Sequence, residues 1–306
     1  MSATAIVCAY SLVGREALAG LLDAGIRIQA LYTYPHPPED GWFEPPATLA
    51  ESRGIPVFLE GKFNEDRVHE RIQAARPDFL FSFYFREMIQ ARFLDIPRLG
   101  AYNLHGSLLP RYRGRAPINW VLAKGETETG VTLHRMTPKP DDGDIVGQVS
   151  IPIAWDETAC TLSKKAAEAG RRLVTETVPR LVDGTATFLS QKTLGPSTYF
   201  GGRKAEDGEL SFDLTAQEAF NLIRAVADPW PNAFLTLPGG IVKVPWAVPA
   251  TDACPCGGFR VTPAGVLLGF ASGALRILAL EGGGTRLERA SDQAALLRRA
   301  GLQEMP

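Results

Sequence analysis

The densest run of chemically unusual residues in the chain is Gly100-Ala101-Tyr102-Asn103-Leu104-His105-Gly106-Ser107-Leu108-Leu109-Pro110. If its first half is extended, side chains alternate between faces, so Asn103 and His105 project together while Leu104 turns into the core. An amide donor then stands beside an imidazole. Gly106 permits a sharp exit or the close approach of a ligand, and Pro110 opens an arginine-rich loop, Arg111-Tyr112-Arg113-Gly114-Arg115. That loop is expected at the end of the strand, where open α/β sheets bind ligands. Carboxylates come from a later turn, Pro140-Asp141-Asp142-Gly143-Asp144. One of them folded back on His105 would fix a single tautomer and raise the imidazole pKa by favouring the cation. Together these groups suit acyl transfer to a nucleophile: the amide stabilises an oxygen that becomes negative, the histidine moves a proton and the acid orients the histidine. On residue types alone, a histidine that merely hydrogen-bonds at a strand end and an acidic turn that faces solvent remain open readings.

Other chemistries fit less well. The four histidines, His36, His69, His105 and His134, contain no HExxH or other close ligand pair, so no metal is expected. Ser107 lacks a G-x-S-x-G elbow and is expected to serve the turn. After the first strand the turn Ala9-Tyr10-Ser11-Leu12-Val13-Gly14 has one glycine where a dinucleotide loop needs three, and no G-x-x-x-x-G-K-[ST] occurs. Cys254-Pro-Cys256 sits in a Pro/Gly-rich turn and reads as a loop, and with Cys8 and Cys160 the cysteines are too scattered for a disulfide framework.

The elements that must hold these groups follow from periodicity. Residues 5–9 form a short apolar strand, and Val13, Ala17, Leu18, Leu21 and Leu22 then recur at helical spacing. A second strand is expected over 26–32, a proline-rich loop over 35–46, helices over 47–53 and 65–75 around a strand at 56–59, and a buried strand over 78–84. Leu162, Ala166, Ala169, Leu173, Val178 and Leu181 mark one face of a long helix. Residues 191–208 read as a linker; beyond them come a helix near 216–225 and short strands at 233–237, 240–244, 258–261, 265–268 and 274–280. Alternating strands and helices predict an α/β sheet, and the later run of short strands predicts a small β-barrel or sandwich.

The string Asn103-Leu104-His105-Gly106-Ser107-Leu108-Leu109-Pro110, followed by Gly114, Pro117 and Asp141-Asp142-Gly143, resembles the signature of the folate-dependent formyltransferases. That family includes methionyl-tRNA formyltransferases and amino-sugar formyltransferases. Residues 111–120, 125–136, Ser82-Phe83-Tyr84 and Arg224-Ala225-Val226-Ala227-Asp228-Pro229-Trp230-Pro231 are most similar to the formyltransferase domain of the ArnA-type bifunctional polymyxin-resistance enzymes. The resemblance implies a Rossmann-like formyltransferase domain (1–190), a linker (191–205) and a smaller C-terminal OB-like β-barrel domain (206–306), with 10-formyltetrahydrofolate as formyl donor. It implies that Asn103 stabilises the transition state, that His105 donates or accepts the proton and that Asp141 tunes His105; Asp141 is preferred to Asp142 because Gly143 sets the Asp-x-Gly register. Folate contacts are implied for Glu87, Met88, Ile89, Arg115 and the loop Thr137, Pro138, Lys139, Pro140 and Asp141.

Composition bears on the acceptor. The 306 residues contain 32 Lys+Arg against 34 Asp+Glu, a net charge of −2, which argues against a dedicated nucleic-acid binder. The loop 35–46 carries Glu39, Asp40 and Glu44 and no Lys or Arg, whereas the corresponding loop of tRNA formyltransferases is typically basic. A nucleotide-linked amino sugar is therefore the expected acceptor, with UDP-4-amino-4-deoxy-L-arabinose, the substrate of a lipid A modification, implied by the resemblance. Other UDP- or dTDP-linked amino sugars come next, then methionyl-tRNA, then a noncatalytic folate-binding module. The length matches one formyltransferase without the dehydrogenase half of the bifunctional enzymes. No basic n-region precedes the first apolar run and no run approaches the roughly 18 residues of a membrane span, so a cytoplasmic enzyme is expected.

Overall fold

A computed structural model describes residues 2–37, 41–59 and 62–306. Its chain divides into two compact units, one of residues 1–117, 128–153 and 161–201, the other of 118–127, 154–160 and 202–306.

The first unit is built on strands β1 (Thr4–Ala9), β2 (Arg27–Thr33), β3 (Val57–Leu59), β4 (Phe79–Phe83) and β5 (Gly100–His105). Helices α1 (Ser11–Asp23), α2 (Pro46–Ser52), α3 (Asp66–Ala75) and α4 (Ala91–Leu94) connect them. After β6 (Arg113–Gly114) the chain passes through α5 (Pro117–Ala123), which belongs to the second unit from residue 118 on, and returns to add β7 (Glu128–Arg135) and β8 (Ile145–Pro152), then the long α6 (Ala159–Val182) and β9 (Tyr199–Phe200). The sheet order is β3-β2-β1-β4-β5-β7-β8, and β6 pairs separately with β9. Strands β1 to β5 are parallel, whereas β7 and β8 run antiparallel at the β5 edge. Near-continuous apolar runs such as Phe79-Leu80-Phe81, all fully buried, suit strands covered on both faces. Helices pack closely: a Cβ at Gly20 of α1 would meet the Arg171 carbonyl of α6 at 2.7 Å. On α6 the six apolar residues picked out by periodicity are all buried.

The second unit holds α7 (Ala216–Val226), strands β10 (Ala233–Leu237), β11 (Gly240–Ala250), β12 (Gly258–Thr262), β13 (Gly265–Gly269), β14 (Ala274–Gly282) and β15 (Thr285–Leu287), helix α8 (Ala290–Arg299) and β16 (Gln303–Glu304). Thr215 and Glu218 close a reciprocal capping box at the start of α7. Strands pair in the order β10-β11-β14-β13-β12-β16, with β15 on β14. The unit is β-rich as expected, and its pairing among the described residues is an open path. All four cysteines are free thiols.

Within 191–205, Gln191 is buried and Tyr199-Phe200 pairs with Arg113-Gly114, so residues 191–201 fold as part of the first unit, while 202–205 belong to the second. Of the proline-rich loop, Pro38, Glu39 and Asp40 lie outside the described residues; Glu44 pairs with Arg15.

Candidate active site

The catalytic candidates meet at the β5 edge because of register. Asn103 faces Ser82 of β4 on one side and His134 of β7 on the other. After β7 the chain turns back: Met136 N–H donates to the Ala101 carbonyl (2.8 Å) and Arg135 N–H to Asp144 (2.9 Å). Gly143 makes this turn possible, because a Cβ there would sit 2.0 Å from the Arg135 carbonyl oxygen. Asp141 adopts φ 51°, in the left-handed region that Asp tolerates better than most residues. The return lays its carboxylate against β5.

Asn103 Nδ2 lies 3.4 Å from Asp141 Oδ1 and 3.1 Å from His134 Nε2. His105 Nδ1 lies 3.5 Å from the same Asp141 oxygen, while the Gly114 N–H donates to Asp141 Oδ2 at 2.8 Å. The other ring nitrogen of His105, Nε2, is 2.7 Å from the Tyr112 carbonyl. A carbonyl oxygen only accepts, so Nε2 carries the proton and Nδ1 holds a free lone pair. His105 is 6% exposed. Burial lowers its pKa and outweighs the raising effects of Asp141 and the Tyr112 carbonyl, so the net shift is downward. This corrects the expectation of a raised value: Asp141 acts in the expected direction, but desolvation of the imidazolium is larger. For Asp141, burial would raise the pKa, but attraction to the cationic form of His105 and the hydrogen bond from the Gly114 N–H overcome it and hold the carboxyl well below the usual carboxylate range. At neutral pH the site therefore holds a neutral imidazole with an available lone pair beside a carboxylate, which suits general-base catalysis.

The turn is held from behind by a residue that composition gave no reason to choose. Gln191 Nε2 donates to the carbonyls of Asp141 (2.9 Å) and Gly143 (2.7 Å), and its Oε1 accepts from Arg113 Nη2 (2.7 Å). Arg113 also pairs with Asp142. Asp142 thus points to the arginine loop and Lys139, and Asp141 to the histidines. Ser107 Oγ donates to the Arg111 carbonyl at 2.6 Å, so this serine does serve the turn.

These groups open on a cleft of about 580 Å³ in the first unit. Its lining includes Asn103, His105, His134 and Asp141, together with Glu87, Met88, Ile89, Arg115, Thr137 and Pro140. Pro138 and Lys139 do not line it; Lys139 pairs with Asp142. The Glu87 carboxylate accepts from Phe63 N–H and Asn64 Nδ2, which fixes the strand-end segment against the loop before α3. Tyr84 also lines the cleft, at φ 56°, an uncommon setting for a bulky residue. Its hydroxyl finds no hydrogen-bond partner among the described residues, and burial pushes its pKa up. Gly106 makes room for it, since a Cβ there would fall 1.9 Å from that hydroxyl oxygen.

Two family models match. One described as formyl transferase covers residues 40–178, and one described as formyl transferase, C-terminal domain, covers 203–295. The chain belongs to the formyl transferase family. Among solved structures, this formyltransferase is similar in fold to WlaRD, a sugar 3N-formyl transferase crystallised with dTDP and 5-N-formyl-THF, at TM-score 0.67 and 20% identity over 90% of this chain and 96% of that one. It is similar to an N-formyltransferase from Helicobacter canadensis, in complex with folinic acid and dTDP-3-aminofucose, at TM-score 0.67 and 20% identity, covering 90% and 98%. HypX from Aquifex aeolicus aligns with all of this chain at TM-score 0.65 and 16% identity, but the formyltransferase spans only 49% of HypX. Among the described residues no helix is long and apolar enough to cross a membrane, and no group of three His, Cys, Asp or Glu could hold a metal ion.

Proposed function

We propose that this formyltransferase moves a formyl group from 10-formyltetrahydrofolate to the amine of a nucleotide-linked amino sugar, using Asn103, His105 and Asp141. The observation that carries the reading is the convergence of these three side chains on one cleft, with a neutral His105 whose Nδ1 lone pair is free.

The cleft suits a folate. Its volume lies in the range of small-molecule sites, apolar side chains such as Phe85, Ile89 and Met136 line it, and the Tyr84 hydroxyl is an orphaned polar atom in its wall. Residues 87–89, Arg115, Thr137 and Pro140 would hold the donor, which supplies an electrophilic formyl carbon when bound. The protein's part is then defined. As the acceptor nitrogen bonds to that carbon, Asn103 Nδ2 donates to the oxygen that becomes negative. His105 Nδ1 takes the proton released by the amine, and Asp141 stabilises the imidazolium so formed. Returning that proton to the departing nitrogen of tetrahydrofolate completes the cycle.

Two acceptor classes have support. The run from Arg111 to Trp120 and the segment Thr132-Leu133-His134-Arg135-Met136 favour UDP-4-amino-4-deoxy-L-arabinose by sequence resemblance. The solved relatives with dTDP or dTDP-3-aminofucose favour a dTDP-linked amino sugar. Incubating the enzyme with 10-formyltetrahydrofolate and a panel of UDP- and dTDP-amino sugars plus methionyl-tRNA, followed by mass spectrometry, tests the reading. One nucleotide sugar should gain a formyl group; preferential formylation of the tRNA would overturn the proposal.

A further inference from the structure

The geometry points to His134 as a positioning residue that sets the orientation of the Asn103 amide, an inference that rests on the formyl-transfer reading for its catalytic consequence. His134 lies on β7 directly opposite Asn103 in the antiparallel register and is 1% exposed. Its Nδ1 is 2.9 Å from the Arg135 carbonyl oxygen. Because that oxygen only accepts, Nδ1 carries the ring proton of the neutral imidazole and Nε2 is left as an acceptor. The atom 3.1 Å from Nε2 is Asn103 Nδ2, a donor.

This bond has a consequence for the amide. Asn103 can present its NH2 or its oxygen to the same space, and only the NH2 stabilises a developing oxyanion. His134 Nε2 accepts one of the two amide hydrogens at 3.1 Å, which excludes the flipped amide, since that would set two acceptors against each other. The second hydrogen is held more loosely, at 3.4 Å from Asp141 Oδ1. It is the one a developing oxyanion takes up. The NH2 group also lies between His134 Nε2 and Asp141 Oδ1, two acceptors only 3.5 Å apart, and so keeps them together.

A double-mutant cycle separates this role from simple packing. We expect His134→Leu to lower kcat roughly 10-fold, the equivalent of one orienting hydrogen bond, with little change in either KM. His134→Gln, whose amide oxygen can occupy the place of Nε2, should retain more activity than the leucine variant. In an Asn103→Ala background His134→Leu should cost less than about twofold, because the two residues act through one bond. Equal losses from His134→Leu with and without Asn103 would overturn the inference. A second readout needs no turnover: 15N NMR of the histidine-labelled wild-type enzyme at neutral pH should show His134 Nδ1 protonated and Nε2 bare, with the Nε2 resonance moving in Asn103→Ala. A protonated Nε2, or an Nε2 resonance indifferent to Asn103, would refute it even if His134→Leu fails to fold. Wild-type enzyme that formylates no amine would instead count against the formyl-transfer reading, leaving the NMR result to decide on His134.

Discussion

Replacing Asp141 by Asn keeps the shape of the side chain and removes its charge from the imidazole that must accept a proton. The nearest oxygen is 3.5 Å from His105 Nδ1. At an effective dielectric constant of ~20, unit charges at that separation attract by about 5 kcal/mol. The amide keeps a dipole and the site relaxes, so the loss in the transition state, where His105 is charged, should be about 3–4 kcal/mol. That corresponds to a fall in kcat on the order of 100- to 1000-fold. The pH profile should change as well. His105 works as a base when neutral, so the rate falls as pH drops through its pKa; that pKa already lies below the usual histidine value because burial outweighs the carboxylate. Without the carboxylate it falls further, and the acidic limb should move to lower pH. Steady-state formyl transfer across a pH series, for wild type and Asp141→Asn, checks both effects. An acidic limb that moves upward, or a kcat within threefold of wild type, would refute the assignment of Asp141 as the partner of His105.

Other consequences are separable. Asp142→Ala, which loses only partly exposed pairs with Arg113 and Lys139, should leave kcat within a few-fold of wild type, in contrast to Asp141. Gly143→Ala puts a Cβ 2.0 Å from the Arg135 carbonyl, a backbone atom that cannot yield cheaply, so it should lower stability by about 1–3 kcal/mol in a denaturant titration and reduce activity through Asp141. Gln191→Leu leaves two carbonyls without a donor and takes from the buried Arg113 one of its two partners, Asp142 remaining, and should cost about 2–3 kcal/mol by the same titration. Stability should also fall on acidification: His105 and Asp141 both have folded pKa values below their unfolded ones, so each contributes stability at neutral pH. The His105 share is lost below roughly pH 6.5 and the Asp141 share below roughly pH 4, with the second step reduced in Asp141→Asn thermal melts.

How far the sequence could be read depended on whether its signals were local. Strand β4, buried on both faces, and helix α6, with its apolar stripe from Leu162 to Leu181, announce themselves through periodicity that neighbouring residues supply. Asn103 and His105 were legible because alternation along one strand puts them together. The antiparallel addition of β7 and β8 leaves no local signal in the sequence, and neither does the register that sets His134 against Asn103; the histidine is visible, but its partner is chosen by strand pairing. Gln191 carried no signal at all, since it lies in a polar run with no periodicity and acquires its meaning from two carbonyls far away in sequence. The sign of the His105 shift is hidden from the sequence for a related reason. Charges can be found in a sequence, whereas the depth of burial that competes with them belongs to the packed molecule.

The most direct test of the central claim is the rate of formyl transfer by Asn103→Ala under saturating donor and nucleotide amino sugar, with donor binding measured separately by calorimetry. Loss of one oxyanion donor should lower kcat by roughly 100- to 1000-fold while the donor still binds and the protein stays folded. An Asn103→Ala enzyme that turns over at nearly the wild-type rate would contradict the account.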